Sequence, residues 1–478
     1  MSYNKVTPAL IEQLKAIAGD RVVTGADVNP DYARDEMPIY GTNMPEASID
    51  VQSTEEVAAI MKLCYENNIP VTVRGAGTGL VGGCMPACGG VVLCTMKMKK
   101  ILEYDEDNFV VRVQPGVLLN DLAEDALKRG LMYCPDPGEK FATLGGNVST
   151  NAGGMRAVKY GATRDYVRAM TVVLPTGEII QLGGTVSKTS SGYSLINLMI
   201  GSEGTLGIVT EITLKLIPAP KCTASLVCPF ETLADAISAV PKFKKAHMNP
   251  QALEFFEREI LISSEEYLGK AVFPRNVGGV DVGAYLLVTF DANSQDELDA
   301  LVEQGANLVL EAGAMDVMIA DTAAKLKDAW AARSSFLEGI EEQVSLLDEC
   351  DVVVPVSKIP AFVLFTNEIA GDYDFSVKMF GHAGDGNLHI YACSGDKAGN
   401  GALPKDEFVA QVDKFMTRLY AKTMELGGQI SGEHAIGYGK VKYLMEAEGP
   451  VKIRLMQDIK KVFDPKLILN PGKVCYKL

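Results

Sequence analysis

Ile69-Pro-Val-Thr-Val-Arg74-Gly75-Ala76-Gly77-Thr78-Gly79-Leu-Val-Gly82-Gly83-Cys-Met-Pro86 decides what kind of fold this chain can have. Ile69–Arg74 reads as a short buried strand, and Gly77, Gly79 and Gly82 after it fit the spacing G-x-G-x-x-G. That fingerprint needs a helix opening at its third glycine, because the helix N-terminus carries a nucleotide's pyrophosphate. Here the chain continues Cys84-Met85-Pro86-Ala87-Cys88-Gly89-Gly90, which is not helical, and then becomes the strand Val91–Thr95. A Rossmann turn is therefore excluded. What remains is a loop of small residues whose bare N–H groups can form an anion-binding nest.

Two more stretches of this kind follow. Upstream, Thr7 caps a helix over 7–18, and Ser53-Thr-Glu-Glu56 is a capping box opening a helix to about Asn67. Downstream, a strand near Phe109–Val113 and an amphipathic helix over 118–128 lead to Pro135-Asp-Pro137-Gly138. Thr143-Leu-Gly145-Gly146-Asn147-Val-Ser149-Thr150-Asn151-Ala-Gly153-Gly154 reads as a long loop, and Gly201-Ser-Glu203-Gly204-Thr-Leu-Gly207 precedes a strand from Ile208 to Leu216. Small and hydroxyl residues let backbone lie close against a large flat ligand while offering hydrogen bonds. Three such stretches in one α+β segment point to one extended cofactor.

At 478 residues the chain is too long for one ordinary core, so two or three domains are expected. A net charge of −16 argues against sequence-independent binding to nucleic acid or to anionic membrane. The N-terminus lacks a basic region followed by an apolar core, and no run of about 18 apolar residues exists, so neither a signal peptide nor a membrane span is expected. The ten cysteines lack Cys-x-x-Cys pairs, so iron–sulfur or structural zinc ligation is not indicated. Reduced thiols and a cytoplasmic location are the expectation.

Ile217-Pro-Ala-Pro220 reads as a domain boundary. Beyond it strands and helices alternate: strands near 223–229, 251–256, 285–290 and 314–319, with helices over 231–246, 257–267 and 296–312. That alternation suggests a ferredoxin-like antiparallel sheet with helices on one face. A long helix over about 321–343 would carry Trp330 and Arg333. Strands over 351–355, 375–380 and 388–392 and a helix over 405–425 follow.

The four histidines are not scattered: His382 and His389 flank the turn Ala383-Gly-Asp-Gly386-Asn387, and His434 follows Glu433. Two imidazoles and a carboxylate suit a divalent ion, Zn²⁺ first, with Mn²⁺ or Fe²⁺ as alternatives, and leave coordination positions open. His434 is a candidate general base, and Asn387 a neutral hydrogen-bonding partner. His247 reads as a surface histidine. A metal-dependent hydrolase could use the same set, so the residues alone leave the chemistry open.

Taken together, Gly75–Gly83, Thr143–Gly154 and Gly201–Gly207 resemble the FAD-binding domain of the vanillyl-alcohol oxidase (PCMH) superfamily. Gly381–His389, Gly432–Gly437 and Asn470-Pro-Gly resemble the C-terminal half of its FAD-linked D-2-hydroxyacid dehydrogenases. The resemblance implies an α+β fold: a PCMH-type FAD-binding domain of two subdomains over 1–220, a cap domain over 221–425, and a segment over 426–478 returning to the FAD domain. It implies that Arg74, Gly75, Ala76, Gly77, Thr78, Gly79 and Gly82 hold the FAD pyrophosphate. Pro137, Thr143, Gly145, Gly146, Asn147, Ser149, Thr150, Gly153, Glu203, Gly204, Ile208 and Asn470 would lie along the cofactor. It makes His382, His389 and Glu433 the metal ligands, His434 the base beside Asn387, and Arg333 the grip on the substrate carboxylate.

Two departures stand out. Diacid-oxidising relatives have a threonine and a lysine where this chain has Leu337 and Glu349, which favours a small monoacid such as D-lactate. Residues 1–246 contain no histidine, so a histidyl–flavin bond cannot form there and FAD is expected to be non-covalent. Without an iron–sulfur motif, electrons are expected to pass to a protein acceptor such as an electron-transferring flavoprotein. The other readings are a glycolate oxidase FAD subunit, a D-2-hydroxyglutarate dehydrogenase, and a flavin-holding electron-transfer subunit without its own substrate.

Overall fold

Thr7 accepts a hydrogen bond from the Leu10 N–H and starts the helix Pro8–Ala18; Ser53 does the same for Thr54–Glu66 through the Glu56 N–H. Both helices bury apolar faces in a core with a four-stranded sheet, ordered Val22–Thr24, Ala47–Asp50, Val91–Cys94, Val71–Arg74. The last three strands run parallel. The Val71 N–H donates to the Ile468 carbonyl, and the Asn470 N–H to the Val71 carbonyl, so the end of the chain extends this sheet. A five-stranded antiparallel sheet follows, ordered Ile101–Asp105, Val110–Val113, Ile208–Lys215, Val167–Val173, Ile179–Gly183. These two sheets form two α+β layers of this part of the chain.

The computed structural model describes residues 2–477, and their contacts divide into two units. The first comprises the chain up to Gly153, Ala162–Ala219, and everything from Glu433 onward; the second comprises Gly154–Gly161 and Pro220–Gly432. One break falls between Ala219 and Pro220, in the proline-rich stretch, and the last between Gly432 and Glu433. Gln429 exchanges both backbone hydrogen bonds with Val353, and the Gly432 N–H donates to Asp351 at 3.0 Å, so this stretch stays with the second unit.

That unit is built on a seven-stranded antiparallel sheet, ordered Met318–Ala320, Cys222–Phe230, Ala284–Ala292, Ala252–Glu257, Ser376–His382, Asn387–Asp396, Val344–Val353. Helices cover both of its faces rather than one. Tyr285 and Leu287 join Phe256, Phe336 and Phe380 in a cluster with Ile260 and Ala332 of the helices Arg258–Leu268 and Ala323–Ser334. Their neighbour Phe290 points the other way, against Phe243 and beside Gly305. Every residue of Ala284–Ala292 is buried, as a strand covered on two faces must be.

Four other elements differ from the sequence reading. The helix expected over 321–343 breaks at Ser335 into Ala323–Ser334 and Phe336–Glu341, and Val344 opens a ten-residue strand. The stretch read as a loop from Thr143 contains a helix, Leu144–Thr150, capped by the Thr143 hydroxyl. The helices Ile359–Ala370 and Val441–Phe463, the latter kinked at Gly449, were not anticipated.

Phe256 lies within ring contact of Phe273, Tyr285 and Phe336, the nearest centroid at 4.9 Å. Phe256→Ala is expected to cost about 3–5 kcal/mol. Differential scanning calorimetry should show an earlier unfolding transition, and Phe256→Leu should shift it clearly less.

Candidate active site

In the first unit, the glycine loop, the helix Leu144–Thr150 and the turn before Ile208 line one groove, with Glu433 and His434 on its wall. Among the described residues, no acceptor in the protein meets the N–H groups from Ala76 to Leu80. No lysine or arginine lines the groove, so an anion there would be held by backbone dipoles. Close approach explains the small residues: a Cβ on Gly75 would lie 2.3 Å from the Thr143 hydroxyl oxygen. Gly77 has φ +86°, a conformation that side chains disfavour. Asn147 is buried, and its Nδ2 has no hydrogen-bond partner among the described residues. A groove with unanswered donors fits an extended anionic cofactor.

Some expected cofactor contacts sit behind the groove instead. Arg74 turns beneath the loop, donating to the Arg34 carbonyl and lying over the Tyr32 ring. Asn470 donates to the carbonyls of Gly83 and Glu203 and accepts from Lys473. Gly82 and Gly153 likewise lie outside the lining. Ser149 and Thr150 donate to the Gly145 and Gly146 carbonyls of their own helix. Glu203 lines the groove, but its carboxylate accepts from the Ile436 and Gly437 N–H groups at 2.9 and 2.6 Å. Burial pushes its pKa up, and those two N–H groups pull it back.

The sequence reading missed Asp35 and Lys473. Asp35 is buried and accepts from the Gly83 and Met37 N–H groups, bracing the end of the glycine loop. Burial lowers the Lys473 pKa to about 8 against the opposing pull of Cys84, Glu203 and Asp35.

In the second unit, His382 ends one strand and His389 lies near the start of the next, across the turn Ala383–Gly386. Their rings stand edge to face, centroids 5.3 Å apart. Registry puts Glu254 opposite His382 and Asp351 opposite His389, on one face of the sheet. His382 Nδ1 is 2.8 Å from Glu254, and His389 Nδ1 is 3.5 Å from Glu349. A carboxylate hydrogen-bonded behind an imidazole, as Glu254 is behind His382, orients metal-ligating histidines. Arg333 donates through Nε to Glu254 at 2.8 Å and packs over the rings of Phe336 and Phe380. Burial opposes the Glu254 charge, but His382 and Arg333 outweigh it and hold the carboxyl below its usual range. Asn387 donates to Asp351 and to the Val352 carbonyl.

Residues 45–183 match the family model described as an FAD binding domain, and residues 219–474 the one described as FAD linked oxidases, C-terminal domain. The groove and these matches define an FAD-dependent oxidoreductase. A D-lactate dehydrogenase of Anaerostipes hadrus is 61% identical over 476 residues, covering 100% of this chain and 99% of its own. A glycolate oxidase subunit of Bacillus subtilis is 38% identical, covering 93% and 92%. The chain belongs to the family of FAD-linked oxidases. Its fold is similar to that of p-cresol methylhydroxylase, with a TM-score of 0.76 at 18% identity, covering 98% of this chain and 96% of the other.

Asn147→Ala removes a buried donor that only a ligand can answer. The apoprotein is expected to be stabilised by up to about 1 kcal/mol while FAD binds more weakly by a similar amount. Apoprotein melting and fluorescence titration with FAD should therefore move in opposite directions.

Proposed function

We propose that this chain oxidises a small D-2-hydroxy acid, D-lactate first, to the 2-oxo acid. The observation that carries the reading is the 61% identity to a D-lactate dehydrogenase over the length of the chain, together with a histidine pair of which His382 is hydrogen-bonded to buried Glu254. When bound, FAD supplies the hydride acceptor, and a divalent ion on His382, His389 and Glu433 would supply a Lewis acid for the 2-hydroxyl. Zn²⁺ is the first candidate, with Mn²⁺ or Fe²⁺ as alternatives. Glu433 follows Gly432, whose N–H is bonded to the Asp351 carboxylate on the sheet face of the two histidines.

His434 accepts the hydroxyl proton as the C2–H bond breaks. Its Nε2 lies 3.8 Å from the Glu433 carboxylate. Arg333 spends Nε and Nη2 on Glu254 and has further N–H groups for the substrate carboxylate. Glu349, buried beside His389, adds negative charge to that face and disfavours a second carboxylate on the substrate. Leu337 packs on the aromatic cluster and offers no polar contact. A monoacid is therefore preferred over 2-hydroxyglutarate. Reduced flavin passes its electrons to a protein acceptor such as an electron-transferring flavoprotein, and the cytoplasm is the proposed location.

Anaerobic mixing of the holoprotein with D-lactate should bleach the flavin, with L-lactate, glycolate and D-2-hydroxyglutarate slower. Loss of bleaching with every 2-hydroxy acid would overturn the proposal. Oxygen consumption as fast as substrate oxidation would exclude the protein acceptor.

His434→Ala should slow flavin reduction by about 10²–10⁴-fold at unchanged FAD content. Chelation should abolish reduction, and restoration by Zn²⁺, Mn²⁺ or Fe²⁺ should identify the ion.

A further inference from the structure

Gly154–Gly161 interrupts the first unit in sequence yet makes its contacts in the second. It is one helical turn, Ala157–Tyr160, between Gly154 at φ +110° and Gly161 at φ +84°. Its anchor is Asp291, whose side chain is 1% exposed and ion-paired with Lys159. The Tyr160 hydroxyl and Gln251 Nε2 donate to the same carboxylate, the latter at 3.0 Å. Two donors from the segment on one buried carboxylate, itself fixed by Gln251, hold it more firmly than a surface contact would.

What the anchored segment presents is Val158, packed against Gly384. Gly384 lies in the turn between the strands that carry His382 and His389. A Cβ there would sit 2.5 Å from Val158 Cγ2, so the two surfaces meet with no space left. The turn is held elsewhere too: the Gly384 N–H donates to the Leu253 carbonyl at 3.1 Å, and a Cβ on Gly386 would meet the Val354 carbonyl at 2.0 Å. Val158 thus bears on the turn from a segment outside the sheet.

We propose that Gly154–Gly161 is a positioning strap for the histidine turn, anchored by Asp291 through Lys159 and Tyr160 and bearing on Gly384 through Val158. Its effect on metal binding rests on the ligand reading given above. Its effect on the turn does not.

The test uses the full-length holoprotein carrying Gly384→Ala, Val158→Gly, or both. Gly384 has no positive φ, so alanine meets only the steric obstacle. In Gly384→Ala, hydrogen exchange at the amides of 384 and 386, measured with metal chelated, should quicken about tenfold. Metal affinity, measured by chelator competition, should fall about 10–100-fold. Val158→Gly should loosen the turn by itself, though less than Gly384→Ala does, and adding it to Gly384→Ala should bring both readouts back to the Val158→Gly level, because the atoms that clash are gone. FAD content should not change in any variant. Unchanged exchange in Val158→Gly, or a double variant no better than Gly384→Ala, would overturn the strap. A parent protein that holds no metal would remove the metal-assisted reading, while the exchange data would still decide on the strap. Should Val158→Gly not fold, Val158→Ala should by itself quicken the same exchange at smaller amplitude, and unchanged exchange would overturn the strap; its retained Cβ, 2.8 Å from a Cβ on residue 384, rules out full relief in the double variant.

Discussion

A carboxylate with no solvent exposure keeps its charge only if cations or donors reach it, and Glu254 is such a group. Arg333 and His382 both reach it, from a helix and from the adjoining strand. Arg333 supplies a permanent positive charge, so His382 need not be protonated for Glu254 to remain ionised. A neutral His382 donating through Nδ1 has its other nitrogen in the form that ligates a metal. The three residues thus depend on one another. Losing Arg333 would leave a buried charge, at a cost of about 3–5 kcal/mol, and would also disturb the imidazole.

The same sheet face divides sharply by polarity. Phe256, Tyr285, Phe380 and Tyr391 form an aromatic floor, while Glu254, His382, His389 and Asp351 stand at the strand ends beyond it. Arg333 spans the division, its guanidinium on the carboxylate and its flat face over two rings. The aromatic part excludes water, which strengthens each polar contact beside it. In the first unit the solution is opposite in kind. Among the described residues no lysine or arginine lines the groove, and unanswered backbone N–H groups take that part. Backbone donors are fixed by the fold and need little side-chain ordering when a cofactor arrives.

What could be read from the chain follows the range of the interactions involved. Capped helices and the strand–glycine loop were legible because their determinants lie within a few residues. The exclusion of a Rossmann turn needed only Cys84–Gly90. The two-sided burial of Ala284–Ala292 was present as a near-continuous apolar run but was read as if one face were open. The break at Ser335 was hidden by an uninterrupted helical composition. Glu254 lies 128 positions from His382, and no local pattern joins them. The one available signal was a lone carboxylate inside Ala252-Leu-Glu-Phe-Phe256, a charge in a buried strand that must have a partner.

Glu203 shows how a site residue can be legible while its task is not. It lies in a glycine-rich turn with φ +53°, a conformation that costs a side-chain-bearing residue roughly 1–2 kcal/mol. Glycine would avoid that cost, so the side chain must return something. It returns two hydrogen bonds, from the N–H groups of Ile436 and Gly437, one residue beyond Glu433 and His434. Asn470 secures the turn from behind by donating to the Glu203 carbonyl, and Lys473 holds Asn470. A residue read from sequence as touching the cofactor therefore fixes the segment bearing the proposed base. The strain at Glu203 is the local cost of holding that segment still.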